Sequence, residues 1–262
     1  MHNLAMARQD LWTRTQLLIA LRLYMRLPFG RLHATNPEIL ELAAQIGRTP
    51  GALAMKACNF ASLDPTFRAT NRAGLSGASN ADRALWKEFS DNTEKVAAET
   101  EELFAEMNPT RASFELESIR PPAGESDRLQ VIRARRVQSF FRSAVLTSYG
   151  NRCAVTGLGT TELLVASHII PWSTSVERRA DPRNGICLSA LFDRAFDRGL
   201  MTLDESFQIV VSKKLLKDAT AADLSNSITE AQGRRIRLPR RFVPDDASLE
   251  HHRSITFVDS LR

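Results

Sequence analysis

The pattern of apolar and polar positions changes character midway along the chain. Leu17, Leu21 and Tyr24 fall on one helical face, and a helix capped by Thr13 or Thr15 is predicted to run to about Leu27, where Pro28 stops it. A second helix is predicted over Pro37 to Ile46. Asn36 is its capping residue, and Pro37 takes the first helical position, where a missing N–H costs nothing. Gly47 ends it, and Thr49-Pro50 repeats the same opening for a third helix to about Leu63. A fourth helix is predicted from Asn80 to Glu106, ended by Asn108-Pro109. Its eight acidic residues, set against Arg83, Lys87 and Lys95, are expected to form a solvated face.

Residues 109–127 hold Pro109, Pro121, Pro122 and Gly124 with little periodicity, which predicts a linker between a helical domain at 1–108 and a second domain at 128–262. The charge then reverses: Arg128 to Arg152 contains six arginines and no acid. A helix from about Val137 to Tyr149 would bury Phe141, Val145 and Tyr149. Further on, Leu163 to Ala166 reads as a strand with His168 just past its end, and Pro171 and Trp172 open a loop, Trp172 being expected in the core. Asn184-Gly185 turns into a short strand, Ile186 to Leu188, and a helix follows from about Ser189 to Asp197, capped by Gly199. Alternation at Phe207, Ile209 and Val211 predicts another strand. The fold class is α+β, an all-helical N-terminal domain followed by short strands and a helix.

Composition narrows the function classes. The 262 residues are 43% hydrophobic and 25% charged, a globular balance. No segment approaches the roughly 20 apolar residues needed to span a bilayer, and no signal-peptide pattern is present, so no membrane partner is expected. Cys58, Cys153 and Cys187 are far apart in sequence, which excludes a disulfide framework and a four-cysteine zinc knuckle and predicts a reducing, cytoplasmic setting. A net charge of +5 and a pI near 9.4 point towards a polyanionic partner. A second basic cluster, Arg234 to Arg241, precedes a tail with His251 and His252, which are expected to be structural or merely exposed.

The helix pair at 37–63, joined by Gly47-Arg48-Thr49, has the layout of a helix-turn-helix, and with the helix before it resembles a Myb-like three-helix DNA-binding module. The second helix of the pair would read DNA, with Arg48, Thr49 and Lys56 reaching phosphate or bases. A plain helical packing or dimerisation domain fits the same pattern.

The stretch from Arg152 to Gly199 carries the candidate chemistry. His168 is a neutral-pH base able to take a proton from water. Asp193 and Asp197, four apart, share a helix face and can bind a hard divalent cation through oxygen. Asn184 can hydrogen-bond across the loop and hold the histidine strand. Together with Ser167-His168-Ile169-Ile170-Pro171-Trp172, Asn184-Gly185 and Phe196-Asp197-Arg198-Gly199-Leu200, this constellation resembles the HNH endonuclease family, in particular its bacterial restriction-type branch. The matching residues are His168, Asn184 and Asp193, separated by 16 and 9 positions. The family-like region spans about Arg136 to Leu215.

The resemblance implies a ββα-metal nuclease domain and a metal-dependent DNA endonuclease active in restriction or host defence. His168 would deprotonate water, and one Mg²⁺-like ion (or Mn²⁺) held partly by Asp193 would contact the scissile phosphate. Arg183, Arg194 or Arg198 would grip flanking phosphates of double-stranded DNA. Two departures stand out: Ser167 occupies a position that is often a metal ligand in relatives, and Asp193 one that is often histidine. The second protein ligand is therefore open, with Asp197 first and Glu162 second. Paired cysteines of some relatives are missing, so no structural zinc is expected. Cutting both strands with one site per chain would favour a homodimer. The alternatives are a DNA-binding regulator with a degenerate, inactive HNH domain, and a structure-specific or RNA nuclease.

Overall fold

A computed structural model describes residues 11–68, 77–117, 128–218 and 226–259. The chain forms two compact units, Met1–Phe140 and Phe141–Arg262.

The first unit is helical throughout its described residues. Helix α1 (Arg14–Arg26) opens on a capping box in which Thr13 accepts from the Gln16 amide and Gln16 reaches back to the Thr13 amide. Helices α2 (Pro37–Gln45) and α3 (Pro50–Leu63) are capped by Asn36 and Thr49. Gly47 sits at φ +66 in the connection, the left-handed conformation that suits glycine at a helix end. The single helix expected over Asn80 to Glu106 is two, α4 (Asn80–Asp91) and α5 (Thr93–Met107). Asn92 divides them: at φ −148 it closes α4, and its side chain accepts from the Lys95 amide to cap α5. The stretch expected to begin the linker carries helix α6 (Pro109–Glu117), with Pro109 again in a position that needs no N–H. The rest of that expected linker lies outside the described residues.

The acidic run is not simply a solvated face. Arg22 is fully buried in α1, donates through Nε and Nη2 to Glu101 at 3.0 and 3.2 Å, and lies 3.3 Å over the Phe104 ring. Asp82, also fully buried, receives Lys56 Nζ and Asn59 Nδ2. Charges removed from water must be paired, so the two buried carboxylates are taken by Arg22 of α1 and Lys56 of α3, while Arg14 of α1 also pairs with Glu88 and Glu99 nearer the surface.

The second unit is built around a hairpin. The C-terminal part of helix α7 (Arg128–Ser148) carries Phe141 and Val145, and Tyr149 just past its end joins them, in a core beneath strands β1 (Leu164–His168) and β2 (Gly185–Ser189). The strands pair antiparallel from Leu164 opposite Ser189 to His168 opposite Gly185. Helix α8 (Ala190–Asp197) follows at once and packs back on the hairpin through Phe192, Ala195 and Phe196. A second hairpin, β3 (Met201–Leu203) with β4 (Ile209–Val211), extends the same core. Helix α9 (Asp246–His251) runs into a short π-helical turn at His252–Thr256. His252 is buried there. It stacks on Phe196 at 3.7 Å, its Nδ1 meets the Thr202 hydroxyl, and its Nε2 meets the Phe196 carbonyl.

Gly185 was legible only as half of an Asn-Gly turn, yet its backbone is extended, at φ −137. Its role is spatial. A Cβ there would stand 2.5 Å from Val145 Cγ2 and 2.7 Å from Phe141 Cζ. Gly185→Ala is therefore expected to push Phe141 aside and cost about 1–3 kcal/mol, read as a lowered thermal midpoint. An unchanged midpoint would show that the ring has room to yield.

Candidate active site

His168 ends β1, so its imidazole is placed by a strand that the hairpin fixes in register. The ring stacks on Phe141 with centroids 3.8 Å apart and planes 11° apart, and meets Trp172 edge-on at 5.8 Å. Its Nε2 lies 2.9 Å from the Arg179 carbonyl oxygen. A carbonyl can only accept, so Nε2 carries the proton and Nδ1 is left as the basic nitrogen. Burial pushes the imidazole down from 6.5 to about 4, with the Arg179 carbonyl opposing, so the ring is neutral at pH 7.

Asn184 holds the loop that supplies this carbonyl. It is fully buried. Its Oδ1 accepts from the Ile170 amide at 2.8 Å, and its Nδ2 donates to the carbonyls of Ile170 and Arg178 at 3.0 and 3.2 Å. Its own carbonyl accepts from the Ile169 amide. One side chain thus ties both ends of the 169–184 loop together, which an aliphatic residue of the same size could not do. Asp181 and Arg178 secure the rest. Asp181 caps the turn through the Arg183 amide and takes the guanidinium groups of Arg178 and Arg183, while Arg178 also donates to Asp245 and Ser248 of the C-terminal segment.

Asp193 stands in the first turn of α8 and Asp197 in its last. Burial and then the charge of Asp197 push Asp193 up from 3.8 to about 6, with Ser167 and Arg194 opposing. Asp197 reaches solvent, but desolvation still raises it against Arg194 and Arg198. Ser167, the residue before His168, is buried beside Asp193, and its Oγ has no well-formed hydrogen bond. The structure therefore brings Ser167, Asp193 and Asp197 together. It joins His168 to Asn184 through the loop, and no hydrogen bond connects His168 to Asp193 among the described residues. Glu162 is exposed ahead of β1, at the end of the strand opposite His168.

Among the described residues no group of three His, Cys, Asp or Glu side chains is placed to hold a metal ion. Two under-neutralised carboxylates and the loosely held Ser167 hydroxyl beside Asp193 are nevertheless hard oxygen donors. They fit a cation such as Mg²⁺, which keeps several waters and takes only one or two carboxylates together with substrate phosphate.

The expected nucleic-acid contacts are placed differently from one another. Lys56 is buried, salt-bridged to Asp82 at 3.1 Å and positioned over Trp12. Arg48 donates to Gln16 and the Leu11 carbonyl and also covers Trp12. Both side chains serve the packing of the helical unit. Arg183 is engaged by Asp181, whereas Arg194 and Arg198 are exposed on and after α8. Sequence reasoning missed Phe141 as the support of His168 and Arg179 as its hydrogen-bond partner. The spacing of Phe141, Val145 and Tyr149 signalled burial, but nothing local signalled which ring would meet the imidazole. Trp172, expected in the core, is only half-buried and borders the site.

A strand pair closed by a stapled loop, a helix returning across it, a neutral imidazole and a carboxylate pair define a ββα nuclease-type unit. Residues 153–204 match the HNH endonuclease family, and the chain thus carries an HNH endonuclease domain. A comparison with curated proteins gives no match. The domain implies a nucleic-acid substrate and a nuclease activity of the kind that generally uses a divalent metal ion.

The buried histidines give a pH signature. His252 is pushed from 6.5 to about 4 by burial, as His168 is. Between these values the unfolded chain takes up protons that the folded chain refuses, so stability is full above pH 6.5 and falls as pH drops towards 4, by on the order of 3 kcal/mol for His252. Asp193 acts with the opposite sign between about 6 and 3.8, since there the folded state binds the proton first. Denaturant titrations across pH 4–7 should show stability falling with acidification, and His252→Gln should flatten the slope. An equal slope in the variant would contradict the burial of a neutral ring at 252.

Proposed function

We propose that the chain is a metal-dependent endonuclease that hydrolyses phosphodiester bonds of double-stranded DNA, in a cytoplasmic restriction or host-defence role. The observation that carries this reading is the fixed tautomer of His168 at the end of β1, in the same strand as Ser167, which lies beside the Asp193 carboxylate of α8. Nδ1 of His168 takes a proton from a water molecule, and the resulting hydroxide attacks phosphorus as the bond to the leaving 3′ oxygen breaks. Products then carry 5′-phosphate and 3′-hydroxyl ends. The low pKa keeps this nitrogen free of a proton, and the anionic substrate raises its basicity on binding. Asn184 and the Arg179 carbonyl keep the ring from turning. Asp193 and Asp197 would hold the divalent ion, with the Ser167 hydroxyl beside them, and that ion supplies neutralisation of charge on the phosphate and leaving oxygens. Arg194 and Arg198 grip flanking phosphates; no base-reading role is assigned to Arg48 or Lys56. A homodimer would cut both strands.

A second reading is favoured by Ser167 in place of an ionic ligand and by the lack of a three-ligand group among the described residues: a DNA-binding regulator whose HNH domain is inactive. Supercoiled-plasmid nicking with Mg²⁺ or Mn²⁺ separates the two. His168→Ala is expected to lose at least about 100-fold in rate, and Asp193→Asn should weaken the metal requirement's half-saturation. Lowering the pH through about 6 should weaken metal binding as Asp193 takes up a proton. Wild-type and His168→Ala proteins that are equally inert while both bind duplex DNA would establish the regulator. Faster cleavage of branched DNA or RNA in competition would replace the duplex assignment.

A further inference from the structure

The loop between β1 and β2 carries three arginines, and two are spoken for: Arg178 by Asp181, Asp245 and Ser248, and Arg183 by Asp181. Arg179 differs. Its Nε donates to the Trp172 carbonyl at 2.7 Å, and its guanidinium lies 5.0 Å from the Trp172 ring centroid. Among the described residues no carboxylate pairs with it, and its two terminal nitrogens make no further hydrogen bond. Its own carbonyl is the partner of His168, and Trp172 is the ring that meets His168 edge-on.

The guanidinium is therefore aimed by one hydrogen bond and one ring, the ring that also meets His168 edge-on, with its terminal N–H donors unspent. That is the form in which arginine recognises a phosphate: a planar fork whose orientation is fixed beforehand, so that little freedom is lost on binding. We propose that Arg179 grips a backbone phosphate of duplex DNA next to the scissile bond, an inference that rests on the endonuclease reading for its substrate. Its main chain fixes the histidine tautomer while its side chain fixes the strand, so base and phosphate are registered by the same residue.

The test uses the whole 262-residue chain and a short duplex DNA in EDTA, which separates binding from cleavage. Affinity is measured across a series of salt concentrations for wild type, Arg179→Gln and Arg179→Lys. Removing one phosphate contact lowers the slope of log K against log salt by about 0.9. Arg179→Gln should show that drop, and Arg179→Lys, which keeps the charge, should largely restore the slope. Thermal midpoints of the variants monitor the loop, which both substitutions disturb at Nε. A residue serving only to hold Trp172 would weaken binding with the slope unchanged in both variants, and that result overturns the proposal, as does absence of duplex binding by wild type. If the slope drops yet wild type nicks no plasmid with Mg²⁺ or Mn²⁺, Arg179 stands as a phosphate contact and the hydrolytic reading fails.

Discussion

The hydrogen bond from His168 Nε2 to the Arg179 carbonyl decides which ring nitrogen is available for chemistry, and much of the second unit exists to keep that carbonyl in place. The bond requires the loop at 169–184 to close, and Asn184 closes it with three side-chain hydrogen bonds from a fully buried position. It requires the ring to lie flat, and Phe141 supports the ring's face at 3.8 Å. Phe141 can reach that place only because Gly185, the cross-strand partner of His168, has no side chain. Helix, strand and loop thus each contribute one constraint to a single imidazole.

The carboxylates are organised by the opposite logic. Among the described residues Asp193 and Asp197 form no ion pair, and desolvation together with the charge of Asp197 raises Asp193. In the helical unit comparable burdens are relieved on the spot: Glu101 takes Arg22, and Asp82 takes Lys56. Protein-internal cations neutralise the buried acids that serve packing. The pair on α8 is left under-neutralised, a perturbation of the kind that clusters at functional sites.

The elements themselves were largely legible in the sequence, because capping residues and prolines act locally. Thr13, Asn36-Pro37 and Thr49-Pro50 each start the helix expected of them, and His168 and the helix ending at Asp197 fall within a residue or two of their predicted places. The failures are of two kinds. Asn92 interrupts an otherwise continuous helical pattern, since its capping bond competes with the ladder and leaves apolar periodicity intact. Asp82 and Glu101 were expected on a solvated face and Lys56 at phosphate or bases, because their pairing across tens of residues, with Arg22 on Glu101, leaves no local trace. At the site the residue types were visible, but the supports of His168 were not, for Phe141, Gly185 and Arg179 come together only in the folded hairpin.

The most direct measurement of the account is the ¹⁵N spectrum of His168 followed across pH. A neutral ring with the proton on Nε2 and a lone pair on Nδ1, unchanged from pH 8 to below 6 and titrating near 4, is the result the account predicts. A proton on Nδ1, or an imidazolium already formed near neutrality, would contradict it.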